Sequence, residues 1–479
     1  MLNDIWKILK TFKPEFKKER AFNWFVRIIV GFMLRTDKLG VTDVIRALCL
    51  PAVCYEPMIH FFRASSWDLN SLRGRWCQTA AKHMPLFRVD GHPILIGDET
   101  IQAKEGRRMP AVKKYHQHSQ SQSKPSYVWG HMFGCVGVLI GAVGKLVCMP
   151  LLMRLHGGLK SAEDWDEASV SSKSHIVQTA QEMCMVAHNM GESCYALLDR
   201  YFLSLPFLRE IKEWNQIYQQ KIWVITRAKW NVAAYETAPV RPEGQRGRPR
   251  KKGNKLSVSD LFHDRTDDFI SATVKMYDKD QALEYLCVDL LWGRGLYLPV
   301  RFVLVRYGKT RSILVSTDTS LEPTEIIRLY SYRVKIEGSF RTMKQDIGTL
   351  AYRFWTKSME KINHFRKKTD SDPLDNVSSS EDRNRIMLTV RATEVYILMS
   401  CIAMGILQGI SVDWDRYQSL GKLRYQRTPA RKRPSEANIK DVLRQCFFSL
   451  LAQSPSHELT QIIHKAQSWK SNRDKSDSA

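Results

Sequence analysis

Three acidic residues, Asp98, Asp199 and Glu337, have the types and settings that metal-dependent cutting of a phosphodiester requires. Asp98 closes the apolar run Pro93-Ile94-Leu95-Ile96-Gly97, and Asp199 closes Tyr195-Ala196-Leu197-Leu198. A short apolar run ending in a carboxylate reads as a buried strand that delivers an acid to the rim of a sheet. Glu337 lies in a helical pattern with Tyr330, Arg333 and Lys344. At 100° per residue these four fall within a ~60° sector. A core-facing stripe would be apolar there. This one carries an acid, two bases and a phenol, which suits a site holding metal and phosphate together.

Two-metal phosphoryl chemistry needs several carboxylates converging on divalent cations about 3.5–4 Å apart. Hard oxygen donors suit Mg²⁺ or Mn²⁺ rather than zinc, so two such ions are the expected cofactors. A single strand-end Asp is more often a turn or cap residue. The weight rests on the order of the three acids and the cationic stripe around the third. The chain has no nucleotide-binding loop of the Walker type, no nucleophile elbow and no His-Glu-x-x-His, so ATPase, serine-hydrolase and zinc-protease readings have no support.

The elements that must position these acids follow from periodicity. Residues 1–88 read as helical, with Ile5, Ile8, Leu9 and Phe12 at helical spacing and basic residues such as Lys17, Lys18 and Arg27. They are expected to form an N-terminal unit, either a DNA-docking domain or a solvated helical face. From Ile94 the pattern turns to strands: Ile94–Ile96, 127–140 and 143–152, then a helix over 165–190, a strand over 193–199, a helix over 201–214 and a strand over 221–226. The order β-β-β-α-β-α-β, with acids at the ends of the first and fourth strands, predicts an α/β protein with an RNase H-like core, a mixed sheet flanked by helices. The first part of that core spans 89–228. A β-rich insertion with a basic loop spans 229–317, and the Glu-bearing helix spans 318–365. A mobile loop over 366–384 and a helical C-terminal region over 385–479, with a frayed tail, complete the chain.

Lys and Arg total 73 against 49 Asp and Glu, a net charge of +24, so a polyanionic partner is expected. The ten cysteines form no Cys-x-x-Cys pair and stand at no zinc spacing, which predicts free thiols in a reducing compartment. The N-terminus lacks a signal-peptide core. Val395–Ile410 is too short and too interrupted, by Ser400 and Gln408, to cross a bilayer, and it is expected to be a core helix. No membrane partner is expected.

Secondary signals fill in the surface. Arg246, Arg248 and Arg250 lie in a Gly- and Pro-rich loop at 245–253 that is expected to be exposed and to contact DNA. Lys104, Arg107, Arg108, Lys113 and Lys114 form a basic stretch beside Asp98. His116, His118 and His131 are expected to be structural. Glu99 should point away from Asp98, its neighbour on a strand. Asp318 should serve a turn or cap. Trp223, Trp230 and Trp292 are expected to pack in the core, with base stacking as the alternative use.

These residues resemble the cut-and-paste DDE transposases of bacterial insertion sequences, in the group with a Tyr-x₂-Arg-x₃-Glu-x₆-Lys signature. Tyr330, Arg333, Glu337 and Lys344 match its spacing, Ile96-Gly97-Asp98-Glu99-Thr100 resembles the first-Asp motif, and Leu198-Asp199-Arg200-Tyr201-Phe202 the second. The resemblance covers roughly residues 93–360. It implies that Asp98, Asp199 and Glu337 coordinate catalytic metal and that Tyr330, Arg333 and Lys344 grip DNA near the element end. It also implies hydrolysis at each element end followed by attack of the freed 3′-OH on target DNA. The implied partners are double-stranded DNA and a second copy of the chain in the DNA complex, and the implied place is the bacterial cytoplasm, at the nucleoid. Two other readings stay open: a DNA-binding protein derived from a transposase that does not cut, and a stand-alone metal-dependent nuclease that cuts without joining.

Overall fold

The computed structural model describes residues 1–37, 40–116, 126–159, 165, 174–241, 247–277, 279–363, 365, 371–420 and 433–469. Five helices open the chain: α1 (Leu2–Lys10), α2 (Glu19–Leu34), α3 (Thr42–Ala47), α4 (Tyr55–Arg63) and α5 (Leu69–His83). Five strands follow: β1 (Arg88–Val89), β2 (His92–Ala103), β3 (Lys113–His116), β4 (Tyr127–Ile140) and β5 (Val147–His156). Next come α6 (His175–Met190), β6 (Cys194–Leu198), α7 (Leu205–Ile217) and β7 (Ile222–Arg227). Then come β8 (Ala233–Tyr235), β9 (Lys255–Ser257), α8 (Leu261–Asp264), β10 (Ile270–Met276), β11 (Lys279–Trp292), β12 (Leu298–Tyr307) and β13 (Thr310–Ser316). The chain ends in α9 (Pro323–Ser331), α10 (Lys335–Thr342), α11 (Ser380–Val412), α12 (Glu436–Gln453) and α13 (Glu458–Gln467).

The protein is a mixed α/β structure whose strands join in one sheet, in the order β3-β4-β2-β6-β7-β13-β12-β11-β8-β9, with β5 also on β4, β1 on β2 and β10 on β11. Within it, β2, β6 and β7 run parallel, while β4 and β5 are antiparallel to their neighbours. The parallel centre explains the unbroken apolar run of β6: every residue from Cys194 to Leu198 is buried, because helices cover both faces. The strands from β10 to β13 form an antiparallel meander that joins the centre through β13 on β7.

The strand reading of Ile94–Ile96 is too short. β2 runs on to Ala103 and pairs with β4 along its length, with Asp98 opposite Cys135. Asp98 therefore lies in mid-strand, at the point where pairing with β6 stops after Ile96–Leu197. The expected single helix around Glu337 is three joined pitches: α9, a 3₁₀ turn at Tyr332–Val334, then α10 running into a π turn at Met343–Ile347. Such π turns cluster at functional sites.

One continuous apolar cluster unites the opening helices, the sheet centre and the C-terminal helices, from Leu9 and Phe25 through Leu197 to Ile397 and Ile463. Helix α11 is long and apolar enough to cross a membrane by length and composition, but 89% of its apolar window is buried inside the protein. It is the core helix expected around Val395–Ile410. A second, smaller cluster around Phe262, Phe302 and Val315 fills one side of the outer strands. All ten cysteines are free, as expected.

Candidate active site

Strand alternation sorts the residues at the β2–β6 junction. Gly97 faces α6: a Cβ there would collide with the Met183 side chain and with Leu198. Its neighbour Asp98 therefore faces the opposite side, where α10 crosses. Continuing the parallel register from Ile96–Leu197 by two residues puts Asp98 beside Asp199, the residue that follows β6. Neighbouring strands lie roughly 4.7–4.9 Å apart, so the two carboxylates share one rim.

The helix stripe closes over this rim. The Arg333 guanidinium donates to Asp98 Oδ2 at 3.2 Å and to Glu337 Oε1 at 2.6 Å. It joins the first and third acids directly. Asp199 stays on its own turn, its Oδ1 accepting from the Arg200 backbone N–H at 2.6 Å. Tyr330 lies within electrostatic reach of Arg227, Arg333 and Asp199, and burial pushes its phenol above the ordinary range. Lys344 donates to Thr100 Oγ1 at 2.8 Å and to the Ile101 carbonyl at 3.2 Å, tying the helix to β2 beyond Asp98.

Burial raises the Asp98 carboxyl to about 6. Arg333 opposes that rise, while Asp199 and Glu337 add to it. A carboxyl crowded by two others and balanced by one guanidinium is short of positive charge. Among the described residues, no three His, Cys, Asp or Glu side chains form a preformed metal cage. The reason is visible in the contacts: Arg333, only 18% exposed, holds the position between two of the carboxylates. The all-oxygen donor set fits a hard divalent cation, and the guanidinium supplies one positive charge between Asp98 and Glu337.

Glu99 points away from Asp98, as alternation requires. Its Oε1 lies 2.6 Å from His175 Nδ1 and 3.7 Å from His156 Nδ1. His156 is fully buried and reaches Glu182 Oε1 at 2.9 Å through Nε2. Burial pulls the imidazole's pKa down, but Glu182 and Glu99 outweigh it and raise it to about 9. Burial likewise raises the Glu99 carboxyl, and the two imidazoles more than reverse this, to about 2. On α5 and α11, Arg73 and Glu394 form another buried ion pair at 3.1 Å. Arg154 on β5, 4.0 Å from Glu182, lies within electrostatic reach of that pair. The sequence reading missed this chain of charges beneath the site. Its one local sign was the Glu that follows Asp98.

The other expected residues fall out as follows. Asp318 serves a turn, accepting from the Ser320 backbone N–H and hydroxyl and from Tyr195. His131 is structural: buried, it contacts the Tyr352 hydroxyl at 2.5 Å and the Pro110 carbonyl at 2.8 Å. His116 lies on β3, and His118 lies outside the described residues. Trp223 packs against His92 and Tyr195. Trp230 departs from the core expectation: it is 52% exposed, stacked on Phe262. Arg248 and Arg250 are exposed in the segment between β8 and β9, while Arg246 lies outside the described residues. The expected loop over 366–384 ends earlier than its stated bound: α11 begins at Ser380, with Ser379 as its N-cap, and residues 366–370 lie outside the described residues.

Residues 11–278, more than half of the chain, match the family model described as DDE superfamily endonuclease. The matched range contains Asp98 and Asp199 and ends before Glu337. No curated protein matches the chain.

Proposed function

The chain belongs to the DDE superfamily of endonucleases, and from that premise we propose that it is a transposase that moves an insertion sequence by cut and paste. The observation that carries this reading is the Asp98–Arg333–Glu337 bridge over a rim shared with Asp199. It joins the strand-borne Asp98 to the helix-borne Glu337, beside Asp199 on the same rim, and Arg333 and Glu337 stand at the spacing of the Tyr-x₂-Arg-x₃-Glu-x₆-Lys signature. The order β5-β4-β2-β6-β7, with β2, β6 and β7 parallel, supports reading this half as an RNase H-like core. The strands β8–β13, between the second and third acids, are then the β-rich insertion.

DNA is the family's substrate, and the net charge of +24 suits it. Asp98, Asp199 and Glu337 would hold the divalent ions, Mg²⁺ or Mn²⁺ and two in number, which supply Lewis-acid stabilisation of charge on the attacking and leaving oxygens. Arg333, released from the carboxylates as they take up that charge, is placed to pair with a phosphate, for which its planar fork is suited. Tyr330 lies within electrostatic reach of Arg227 and Asp199. Water attacks the phosphorus at each element end and the bond to the 3′ oxygen breaks, freeing a 3′-OH. That hydroxyl then attacks a target phosphodiester and displaces the target strand's own 3′ oxygen, which leaves as a 3′-OH. Two copies of the chain, one per end, would make the joined complex.

A plasmid carrying the coding region with its natural flanking DNA tests this. The protein with Mg²⁺ should cut at both flanks and join the 3′ ends to a second plasmid. Cutting without joining would reduce the protein to a nuclease, and neither activity would leave a DNA-binding protein. Asp98→Asn, Asp199→Asn or Glu337→Gln should each lower cutting roughly 10³-fold, since metal stabilisation of several kcal/mol is lost at tenfold per ~1.4 kcal/mol. Binding to the ends should persist. Near-normal cutting by any one of these variants removes that residue from the site.

A further inference from the structure

After the π turn, Gly348 enters the left-handed region at φ 71° and the chain runs on with no regular helix or strand over residues 351–356. Burial alternates along it with the two-residue period of a strand. Tyr352, Phe354 and Thr356 are buried, while Arg353, Trp355 and Lys357 are exposed. The inner row is firmly held. Tyr352 stacks on His131, Phe354 packs against Phe62 and Tyr396, and the Thr356 backbone N–H donates to the Arg108 carbonyl at 3.0 Å. The outer row is therefore preorganised without a neighbour covering it, and Trp355 is 52% exposed.

Two cavities flank this ridge, and Arg353 and Trp355 line both. One, of about 730 Å³, lies toward the catalytic helix and is lined by Lys344, Lys104, Arg107 and Arg108. The other, of about 750 Å³, lies toward the opening helices and is lined by Arg46, Arg63 and Tyr55. Acids are scarce. Glu105 lines the first cavity, and Asp37 in the second is already paired with Arg46. Among the described residues, Arg63, Arg353 and Lys357 have no carboxylate partner. Burial, with the nearby Arg353, pushes the Lys104 amine down to about 7.

We infer that the outer face Arg353–Trp355–Lys357 is a platform for single-stranded DNA, on which Trp355 stacks an unpaired base while Arg353 and Lys357 hold the flanking phosphates. Arg353 and Lys357 lie two residues to either side of Trp355 in the exposed row. Exposed aromatics interleaved with cations along a groove are how sequence-independent single-strand binding is built. An indole face gives little to a duplex, whose outer surface is phosphate, and this is why an unpaired strand is the fitting occupant. The cavity that contains Lys344 leads from this platform toward the carboxylate rim. The inference rests on the DNA-cutting reading of that rim and adds a path by which a frayed strand reaches it.

The test is binding of a fluorescein-labelled dT12 oligonucleotide in EDTA, read by anisotropy, so that cutting plays no part. Trp355→Ala should weaken binding about tenfold, Trp355→Phe should restore most of it, and a duplex of the same length should bind both variants like the parent. Arg353→Ala and Lys357→Ala should each lower the salt slope for dT12 by about 0.7. Photocrosslinking of a 5-iodouracil oligonucleotide should map to Trp355. Because Trp355 is exposed, the variants should melt with the parent, and this is checked alongside. Unchanged dT12 affinity in Trp355→Ala, or equal losses on dT12 and duplex, overturns the platform. If Trp355→Ala binds dT12 normally while Asp98→Asn still abolishes cutting, the platform falls and the catalytic reading stands. If the parent neither cuts nor binds any DNA, both fall.

Discussion

The two halves of the sheet are built on different principles. In the half made of β2, β4, β5, β6 and β7, helices cover both faces, and charged groups are carried deep inside only where partners meet them, as His156 meets Glu182. In the half made of β8–β13, strands such as β10 and β11 carry mostly exposed and partly buried residues, with Val274 and Leu283 reaching the main core and Leu286 a smaller apolar cluster. Its charges pair at the surface, as Arg301 does with Asp289. The first half fixes where a carboxylate sits, and the second provides area. Positional precision suits a cluster of acids, and Asp98, Asp199 and Glu337 lie on or just after the buried parallel strands and on the helix that crosses them, while the exposed Arg248 and Arg250 lie in the segment between β8 and β9.

The sharpest way to break this contrast is to compare variants from the two halves in one cutting assay. The amide variants of the acids, at roughly 10³-fold, should stand far below an Arg248→Ala/Arg250→Ala double variant, which should retain the chemical step once DNA is saturating. A comparable loss of cutting at saturation from both would mean that the outer strands take part in the chemistry.

Stability should divide the halves next. His156→Gln removes the close partner of the buried Glu182 and leaves it only Arg154 at 4.0 Å, which costs up to about 3–5 kcal/mol. The imidazole's pKa rises from an ordinary 6.5 to about 9 in the folded protein. A raised basic pKa stabilises the fold fully below about 6.5, and that contribution is lost as pH rises through about 9. Urea melts across that window should show the deficit of His156→Gln shrinking toward the alkaline end. A deficit that stays constant with pH would remove the ion pair from the account and leave packing alone, including the ring's close fit over Gly134.

Smaller effects should come from Arg333 and from the outer arginines. Arg333→Ala should weaken binding to end DNA and lower the salt slope by about 0.9, one phosphate contact. Lys at that position should restore it only in part, because a point charge replaces a bidentate fork. An unchanged slope would confine Arg333 to balancing Asp98 and Glu337. The Arg248→Ala/Arg250→Ala variant should weaken duplex binding modestly and leave the melting temperature where it was, since both side chains are exposed. A lowered melting temperature would give that segment a packing role it does not show.

Much of this was legible in the chain itself, because it depends on local pattern. Strand alternation put Glu99 on the opposite face from Asp98, and the apolar run before Asp199 marked a strand buried on both faces. The meander strands from β10 to β13 were readable from their β-branched runs, and the helical spacing of Arg333 and Glu337 from residue counting. What no local pattern carries is which distant groups meet. That Asp98 lies in mid-strand depends on β4, which pairs past the point where β6 stops. That Arg333 bridges two acids depends on how α10 crosses β2. The charges from Arg73 and Glu394 through Arg154, Glu182 and His156 to Glu99 come from five separate elements, and each is tolerable inside the protein only because the others arrive there. A buried charge is decided by its partners, and only the tertiary structure chooses them.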